Sequence, residues 1–231
     1  MSKSAAQLHK TFRRTIPVLL GYFPLGFAVG VFFSTLGVDW YFGLISAIVV
    51  YAGAGQFLSV QLIHQNASLV EVFIAMFLVN FRHVFYGFSF LSRFSGAPGK
   101  PYMIFGLTDE TYSVLTTGRS ADRATDQATC LTITFLDHIY WILGCTLGGI
   151  VGASGNFETA GFEFVLTALF SVLAVEQWRH VRRLRPFVLG AAAAALGLLI
   201  DRSQFLLIAT PILGVLVIAF GRKDPGREHS I

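Results

Sequence analysis

The chain has 231 residues, of which 54% are apolar and only 13% are charged, and its mean hydropathy is +0.65. A soluble domain of this length carries about 25% charged residues, so this composition excludes a water-soluble globular protein and indicates a polytopic membrane protein. The formal net charge of +4 comes from basic residues in short loops, which is not the pattern of a nucleic-acid-binding surface.

Eight apolar segments predict an all-α membrane protein, a helical bundle of about eight membrane segments, with seven as the alternative. Residues 1–14 form a basic cytoplasmic leader without a signal-peptide cleavage pattern, residues 15–220 a single transmembrane domain, and residues 221–231 a cytoplasmic tail. The two cysteines, Cys130 and Cys145, suggest packing and neither a disulfide nor a metal site. The segments are roughly Thr15–Thr35, Tyr41–Ile63, Leu69–Leu91, Tyr102–Thr117, Ala128–Val151, Ala160–Trp178, Pro186–Ile200 and Ser203–Phe220.

The basic residues predict the orientation, because cytoplasmic loops carry an excess of Lys and Arg. With the amino terminus inside, 13 Lys and Arg residues lie inside, Arg82 lies within the membrane, and Arg93, Lys100 and Arg202 lie outside. This bias predicts an even number of crossings with both termini in the cytoplasm. The short segment Tyr102–Thr117 is the alternative, because a re-entrant course there would leave seven crossings.

Two interruptions are expected in the first half of the chain. Pro24 lies in the first segment and should kink it, since proline removes a backbone hydrogen bond and frees carbonyl groups. Tyr-Ala-Gly-Ala-Gly-Gln-Phe (51–57) should open the second segment and present backbone groups to a ligand, with Gly53, Gly55 and Gln56 beside the site. The alternatives are a packing kink at Pro24 and a tight helix crossing at the glycines.

The third segment carries Arg82 and His83 near its middle, where an arginine costs a few kcal/mol or more unless it faces protein or a cavity. At 100° per residue, one half of this helix is polar and the other is apolar. The polar half predicts a cavity or pathway inside the protein. It contains Asn80, Arg82, His83, Tyr86 and Ser89.

A further interruption is expected at Phe-Gly-Leu-Thr-Asp-Glu-Thr (105–111), in the short fourth segment. Asp109 and Glu110 point about 100° apart on a helix, so they are expected to act separately. Asp109 is the better cavity candidate, and Glu110 can pair with Arg82 or turn to the surface. The alternative is that both cap a short helix. Asp137 in the fifth segment suggests a structural hydrogen bond and a transport role equally.

Glycines at regular spacing indicate close helix approach. Gly26 and Gly30 share one face of the first segment, and Gly144, Gly148 and Gly152 share one face of the fifth. We interpret these stripes as a helix–helix or subunit interface, and predict that one of them contacts a small partner subunit or a second copy.

The motifs at 51–57, Arg-His-Val-Phe-Tyr-Gly (82–87) and 105–110 occur together in the order and spacing of the AzlC-like branched-chain amino-acid permeases. The resemblance covers roughly residues 10–220. It implies a bacterial inner-membrane exporter of amino acids such as valine, leucine and isoleucine, acting with a small hydrophobic subunit of the AzlD type.

An amino-acid zwitterion needs a carboxylate receptor, an ammonium receptor and an apolar pocket, and charged side chains or opened helices can supply the first two. Because histidine titrates near neutral pH, we expect proton coupling through His83, Asp109 and Glu110, with a His83–Asp109 pair exchanging the proton. The alternative is that His83 only hydrogen-bonds a neighbouring helix. We expect neither cofactor nor metal. A channel, a non-transporting subunit or, less favoured, a membrane-embedded enzyme are the alternatives. The expected substrate-binding residues are Pro24, Tyr51, Gly53, Gly55, Gln56, Asn80, Arg82, Tyr86 and Asp109.

Overall fold

The computed structural model of the chain describes residues 3–118, 120–155, 171, 175, 178, 184–201 and 205–221. The regular structure of these residues is helical, which confirms the all-α fold class. The helices are α1 (Lys3–Ser34), α2 (Tyr41–Val49), α3 (Gly53–His64), α4 (Leu69–Asn80), α5 (Arg82–Phe90), α6 (Lys100–Phe105), α7 (Asp109–Thr116), α8 (Arg123–Ala153), α9 (Leu184–Ile200) and α10 (Phe205–Gly221).

Several sequence predictions fall outside the described residues. They are nearly all of the segment Ala160–Trp178, the basic residues Arg119, Arg179, Arg182, Arg183 and Arg202, and the tail from residue 222 onward.

The chain divides into two compact units. One contains residues 1–67 and 79–166, and it includes every predicted site residue. The other contains residues 68–78 and 167–231, within which α9 and α10 pack against each other. The single membrane domain expected over residues 15–220 stays a prediction.

The centre of the first unit is a pair of long helices, α1 and α8, that run in the same direction. Gln7 donates to Thr129 at 3.0 Å near the start of both helices, and Ser34 donates to the carbonyl oxygen of Gly149 at 3.0 Å near their ends. Within the described residues, these two helices are each long and apolar enough to cross a membrane, and α4 with α5 is a third candidate if the two are one bent span.

Glycines bring α1 and α8 into backbone contact. A Cβ atom on Gly144 would lie 2.7 Å from the carbonyl oxygen of Phe23, and one on Gly30 would lie 2.5 Å from the amide nitrogen of Gly149. Gly26, Gly148 and Gly152 face the opposite helix in the same way. The helix–helix interpretation of the two stripes is therefore confirmed. The expectation that either stripe contacts a partner subunit is corrected, because each glycine face is already covered by the other helix.

Helices α2 and α3 enter and leave the bundle at the same end. Before α2, Trp40 lies against Gly149 near the end of α8, and the carbonyl oxygen of Ala47 then accepts a hydrogen bond from Nε2 of His138, midway along α8, at 3.1 Å. After the interruption, α3 returns toward the end of α1, where the Phe57 and Phe32 rings are 6.2 Å apart. The two helices form a re-entrant hairpin.

A second hairpin, α6 and α7, enters from the opposite end. Gly99, before α6, packs against Leu131 in the first third of α8. The hairpin reaches mid-helix where Thr111 donates to Asp137 at 2.9 Å. It then returns to the start of α1, where Arg14 donates to the carbonyl oxygen of Val114 at 2.8 Å.

The eight predicted crossings are therefore not confirmed. The predicted spans Tyr41–Ile63 and Tyr102–Thr117 are hairpins, each reversing at its interruption. For Tyr102–Thr117 this agrees with the re-entrant alternative. The interruptions expected near residues 51–57 and 105–110 are confirmed, since α2 ends at Val49 before α3 begins at Gly53, and α6 ends at Phe105 before α7 begins at Asp109. Removing these two spans from the eight predicted ones leaves six predicted membrane segments, which is still an even number.

The interruption expected near residues 22–26 is wrong. Helix α1 is continuous from Lys3 to Ser34, with Pro17 and Pro24 inside it. A proline costs a helix roughly 3 kcal/mol, and close packing against α8 offsets that cost. The expected basic leader is also part of α1 from Lys3 onward.

Arg93 lies at the same end of the first unit as Arg14 and Arg123, and not at the opposite end as predicted. Arg93 donates to both carboxylate oxygens of Asp126, at 2.7 and 2.8 Å, near the start of α8. Lys100 begins α6 at this end as well. The prediction was wrong because it counted α2 and α3 as one crossing, whereas they return to the end they came from. With Arg93 and Lys100 at the end that carries Arg14 and Arg123, the excess of basic residues at this end is larger than predicted.

We expect Arg93→Ala to lower the free energy of unfolding by about 3–5 kcal/mol, because it removes the cation that pairs with a buried carboxylate. The Asp126 side chain belongs to a residue that is only 4% exposed. Arg93 also donates to the carbonyl oxygens of Leu115 and Gly118. Thermal and denaturant unfolding of the protein in detergent measure the loss.

The control for this prediction is Arg123→Ala, since the exposed Arg123 donates only to the carbonyl oxygen of Ser95 among the hydrogen bonds described for it. Its expected effect is within about 0.5 kcal/mol. Equal losses in the two variants would contradict a special contribution of the Arg93–Asp126 pair.

Candidate functional site

Arg82 and Asp109 form an ion pair at two helix interruptions. Arg82 is the first residue of α5, directly after the interruption at Phe81, and Asp109 is the first residue of α7. Nη2 of Arg82 lies 2.6 Å from Oδ2 of Asp109, and the side chains are 34% and 22% exposed. The expectation that Arg82 has a carboxylate partner within the protein is confirmed. The apolar half of α5 faces outward, with Phe85 and Phe88 exposed.

Each member of this ion pair retains a buried polar atom that has no hydrogen-bond partner among the described residues. These atoms are Nε of Arg82 and Oδ1 of Asp109. A buried polar group left unpaired costs roughly 1–3 kcal/mol. The ion pair thus carries one donor and one acceptor that the described residues leave without a partner.

The predicted site residues Asn80, His83 and Tyr86 flank Arg82 in the sequence. Nδ1 of His83 donates to the carbonyl oxygen of Asn80 at 3.0 Å. His83 and Asp109 thus hydrogen-bond different groups, so the direct proton pair expected between them is not the arrangement observed. Tyr86 lies beside Asp109, and its ring stacks on Tyr112 with centroids 4.6 Å apart. The roles of Asn80, His83 and Tyr86 stay predictions.

The interruption between α2 and α3 is held by side-chain contacts. Tyr51 has a φ of 43°, in the left-handed region that non-glycine residues rarely adopt, and its ring stacks on His138 with centroids 4.2 Å apart. Gln56, 1% exposed, accepts from Trp141 Nε1 at 2.8 Å and donates to Ser46 at 2.8 Å. Both ends of the Gln56 amide are therefore occupied by the protein.

The glycines of this interruption are enclosed by the protein to different degrees. Gly53 packs against the Trp141 ring and Gly55 is buried. The first turn of α3 has no side-chain cap, so its amide groups stay candidates for a ligand carboxylate. Pro24 is exposed on a continuous helix, so the carbonyl groups expected to be freed near it remain helical.

Three hydroxyl groups connect two carboxyl groups at the tip of the second hairpin. Glu110 accepts from the Tyr22 hydroxyl at 2.8 Å, and the Tyr22 and Thr108 hydroxyl oxygens are 2.5 Å apart. Thr108 Oγ1 lies 3.1 Å from Thr111 Oγ1, which lies 2.9 Å from Asp137 Oδ2. We call Tyr22, Thr108 and Thr111 the hydroxyl chain. The adjacent residues Asp109 and Glu110 thus have different partners, as predicted, but Arg82, the partner considered for Glu110, pairs with Asp109 instead.

The sequence analysis did not identify the hydroxyl chain. One local signal for it exists, because Thr108 precedes α7 and accepts from the Thr111 amide at 3.3 Å, the three-residue spacing of an N-cap. Nothing local marks Tyr22, which is 86 residues from Thr108 in the sequence. Asp137 was interpreted as having a structural hydrogen bond or a transport role, and it has the hydrogen bond to Thr111.

The site as a whole defines a class of protein. Interrupted helices that meet deep within a helical membrane protein, around charged groups, are typical of transport proteins. Among the described residues, no group of three or more His, Cys, Asp or Glu side chains is arranged to hold a metal ion.

Comparison with known proteins agrees with this class. The family described as "AzlC protein" matches residues 17–154, and the chain belongs to the AzlC family. It is 34% identical over 219 residues to "Branched-chain amino acid transport protein AzlC" of Bacillus subtilis, covering 92% of this chain and 85% of that protein.

Two further relatives are membrane proteins by name. An "Uncharacterized membrane protein" of Helicobacter pylori strain 26695 is 35% identical over 214 residues, covering 92% of this chain and 94% of that protein. "Inner membrane protein YgaZ" of Escherichia coli is 28% identical over 165 residues, covering 68% and 67%. No solved structure matches this chain.

Proposed function

We propose that the protein exports branched-chain amino acids of the valine, leucine and isoleucine class across a bacterial inner membrane. It acts as the large subunit of a two-component secondary transporter, with a small AzlD-like membrane subunit, and export is coupled to protons. Membership of the AzlC family and the name of the Bacillus subtilis relative support the substrate class.

The observation that carries the proposal is the ion pair between Arg82 and Asp109 with its two unpaired atoms. A zwitterionic amino acid presents a carboxylate acceptor and an ammonium donor on one carbon atom. Arg82 Nε can donate to the carboxylate while Asp109 Oδ1 accepts from the ammonium. Hydrogen bonds to charged groups contribute about 1.5–3 kcal/mol each, enough for selective binding of the zwitterion.

Aromatic rings beside the ion pair supply a surface for an aliphatic side chain. Tyr86 and Tyr112 are both partly buried and stack on each other with centroids 4.6 Å apart. A branched aliphatic side chain that leaves water gains about 25 cal/mol per Å² of buried apolar surface. These rings therefore favour leucine, isoleucine and valine over small or polar amino acids.

The charge distribution supports an orientation with the basic end of the first unit in the cytoplasm. The basic end of the first unit carries Arg14, Arg93, Lys100 and Arg123, and an excess of Lys and Arg is typical of the cytoplasmic side. The α6–α7 hairpin then enters from the cytoplasm, and the α2–α3 hairpin enters from the opposite side.

The test is counterflow of labelled L-leucine into liposomes that contain the purified protein and unlabelled L-leucine, with and without a co-purified small hydrophobic subunit. We expect saturable exchange that L-valine and L-isoleucine inhibit and D-leucine does not. Empty liposomes are the control. Membrane vesicles sorted by orientation test the direction of transport. Inside-out vesicles should accumulate leucine, because export from the cell corresponds to uptake into them.

Two results would overturn the proposal. Flux that neither saturates nor distinguishes D-leucine from L-leucine would indicate a channel. Absence of leucine flux both with and without the small subunit would indicate a non-transporting membrane protein.

A further inference from the structure

The hydroxyl chain joins Glu110 to Asp137 without a gap. The four oxygen–oxygen contacts from Glu110 through Tyr22, Thr108 and Thr111 to Asp137 measure 2.8, 2.5, 3.1 and 2.9 Å. All four lie within or close to the usual range for O–H···O hydrogen bonds. Tyr22, Thr108, Thr111 and Asp137 are all buried.

Counting hydrogens shows the protonation state that this geometry requires. Each hydroxyl carries one hydrogen, so the chain supplies three hydrogens for four contacts. If both carboxyl groups were ionised, one contact would bring two oxygens together with no hydrogen between them. One added proton, on either Glu110 or Asp137, fills all four contacts. The geometry fits one shared proton.

We propose that Glu110 and Asp137 share one proton through this chain, and that this proton is the one coupled to transport. When Glu110 is protonated, its hydrogen passes to the Tyr22 oxygen while the Tyr22 hydrogen passes to Thr108. The Thr108 hydrogen then passes to Thr111, and the Thr111 hydrogen passes to Asp137. The net change is one proton moved from the Glu110 carboxylic acid to the Asp137 carboxylate.

The two ends of the chain differ in access. Glu110 is partly exposed, whereas Asp137 is fully buried and its Oδ1 atom has no partner among the described residues. Keeping an ionised carboxylate in such a place is costly, so Asp137 holds the proton best when Glu110 is charged. Glu110 is thus the exchange end of the relay and Asp137 is the storage end.

Other titratable groups surround the relay without interrupting it. Arg82 and Asp109 lie next to Glu110, but they pair with each other. Tyr51 lies beside Tyr22, Thr111 and Asp137, and its ring stacks on His138. Tyr102 lies near Asp137, and its hydroxyl donates to Nδ1 of His138 at 3.0 Å.

The relay replaces the predicted His83–Asp109 pair as the coupling device, and it rests on the proposed transport function. Tyr22→Phe removes one hydroxyl from its middle and keeps the ring. We expect leucine counterflow, which needs no pH gradient, to remain. Leucine accumulation driven by an imposed pH gradient should fall at least tenfold.

The matched control is Tyr140→Phe. The Tyr140 hydroxyl hydrogen-bonds Thr15 at 2.9 Å. This contact joins α1 and α8, the helices that carry Tyr22 and Asp137, but it lies outside the relay. Accumulation by the Tyr140→Phe variant should stay at the parent level. Equal gradient responses in Tyr22→Phe and Tyr140→Phe would overturn the proposal. If the parent protein itself shows no leucine counterflow, the transport function on which the relay rests is overturned instead.

A second pair of variants covers the case in which Tyr22→Phe does not fold. Thr111→Val removes a relay hydroxyl and Thr111→Ser keeps one, so only the serine variant should respond to the gradient. Equal responses in these two variants would count against the relay.

A spectroscopic measurement tests the shared proton without any transport. Infrared difference spectra of the purified protein at neutral pH should contain a band from a buried protonated carboxyl group. The band should be absent in the double variant Glu110→Gln/Asp137→Asn. A parent protein without the band would overturn the shared proton.

Discussion

Replacing Arg82 with glutamine should reduce L-leucine counterflow by on the order of 100-fold, equivalent to about 2.7 kcal/mol of lost interaction free energy. The variant loses the guanidinium that faces Asp109 at 2.6 Å and the Nε donor assigned to the substrate carboxylate. Arg82→Lys should restore little flux, because an ammonium group lacks the planar array of donors that lets Arg82 contact Asp109 and the substrate carboxylate at once. Counterflow in liposomes at matched protein content measures both.

A double-substitution cycle separates substrate binding from a structural ion pair. Arg82→Gln and Asp109→Asn each leave one charge uncompensated, whereas the double variant leaves neither. We expect the double variant to regain the melting temperature of the parent protein but not its flux. Recovery of flux in the double variant would show that the pair acts only in folding. Arg123→Gln is the matched control, since Arg123 is exposed and its described hydrogen bond is to the carbonyl oxygen of Ser95.

Replacing Gly148 with alanine should lower the free energy of unfolding by about 1–3 kcal/mol, the usual cost of overpacking. A Cβ atom at Gly148 would overlap the carbonyl group of Phe27, and a backbone group cannot move aside as a side chain can. The loss should appear as a lower melting temperature of the detergent-purified protein, with α1 and α8 less protected from hydrogen exchange.

The matched control for Gly148 is Gly21→Ala in α1. A Cβ atom on Gly21 would meet nothing within 4 Å. Alanine is favoured over glycine in a helix by about 1 kcal/mol, so this variant should be as stable as the parent or slightly more stable. Equal stability changes in the two variants would contradict the tight α1–α8 contact.

Local chemistry in the sequence determined the class of protein and the positions of two interruptions. Composition alone indicates a helical membrane protein, because 13% charged residues is too few for a water-soluble globular protein. Glycine-rich and polar runs at 51–57 and 105–110 predict the breaks, since these residues weaken a helix wherever the chain goes next. The cost of a charge in lipid likewise predicts an internal partner for Arg82, and that partner is Asp109.

Tertiary packing decided what the local signals left open. Hydropathy reports the length of an apolar segment but not its direction after a break, so it could not distinguish two crossings from two hairpins. The sequence shows glycine stripes on α1 and α8 but not that each covers the other. Pro24 illustrates the same limit, since contact with α8 offsets a local preference.

The hydroxyl chain depended on the tertiary structure most of all. Tyr22, Thr108 and Asp137 lie far apart in the sequence and on three different elements. Each is an ordinary polar residue by local pattern, and hydrogen bonds between distant residues leave no periodic trace in a single sequence. The sequence by itself thus determined which groups are too costly to leave in lipid, whereas only the fold decided which of them meet, because the meeting depends on how α1, α7 and α8 pack.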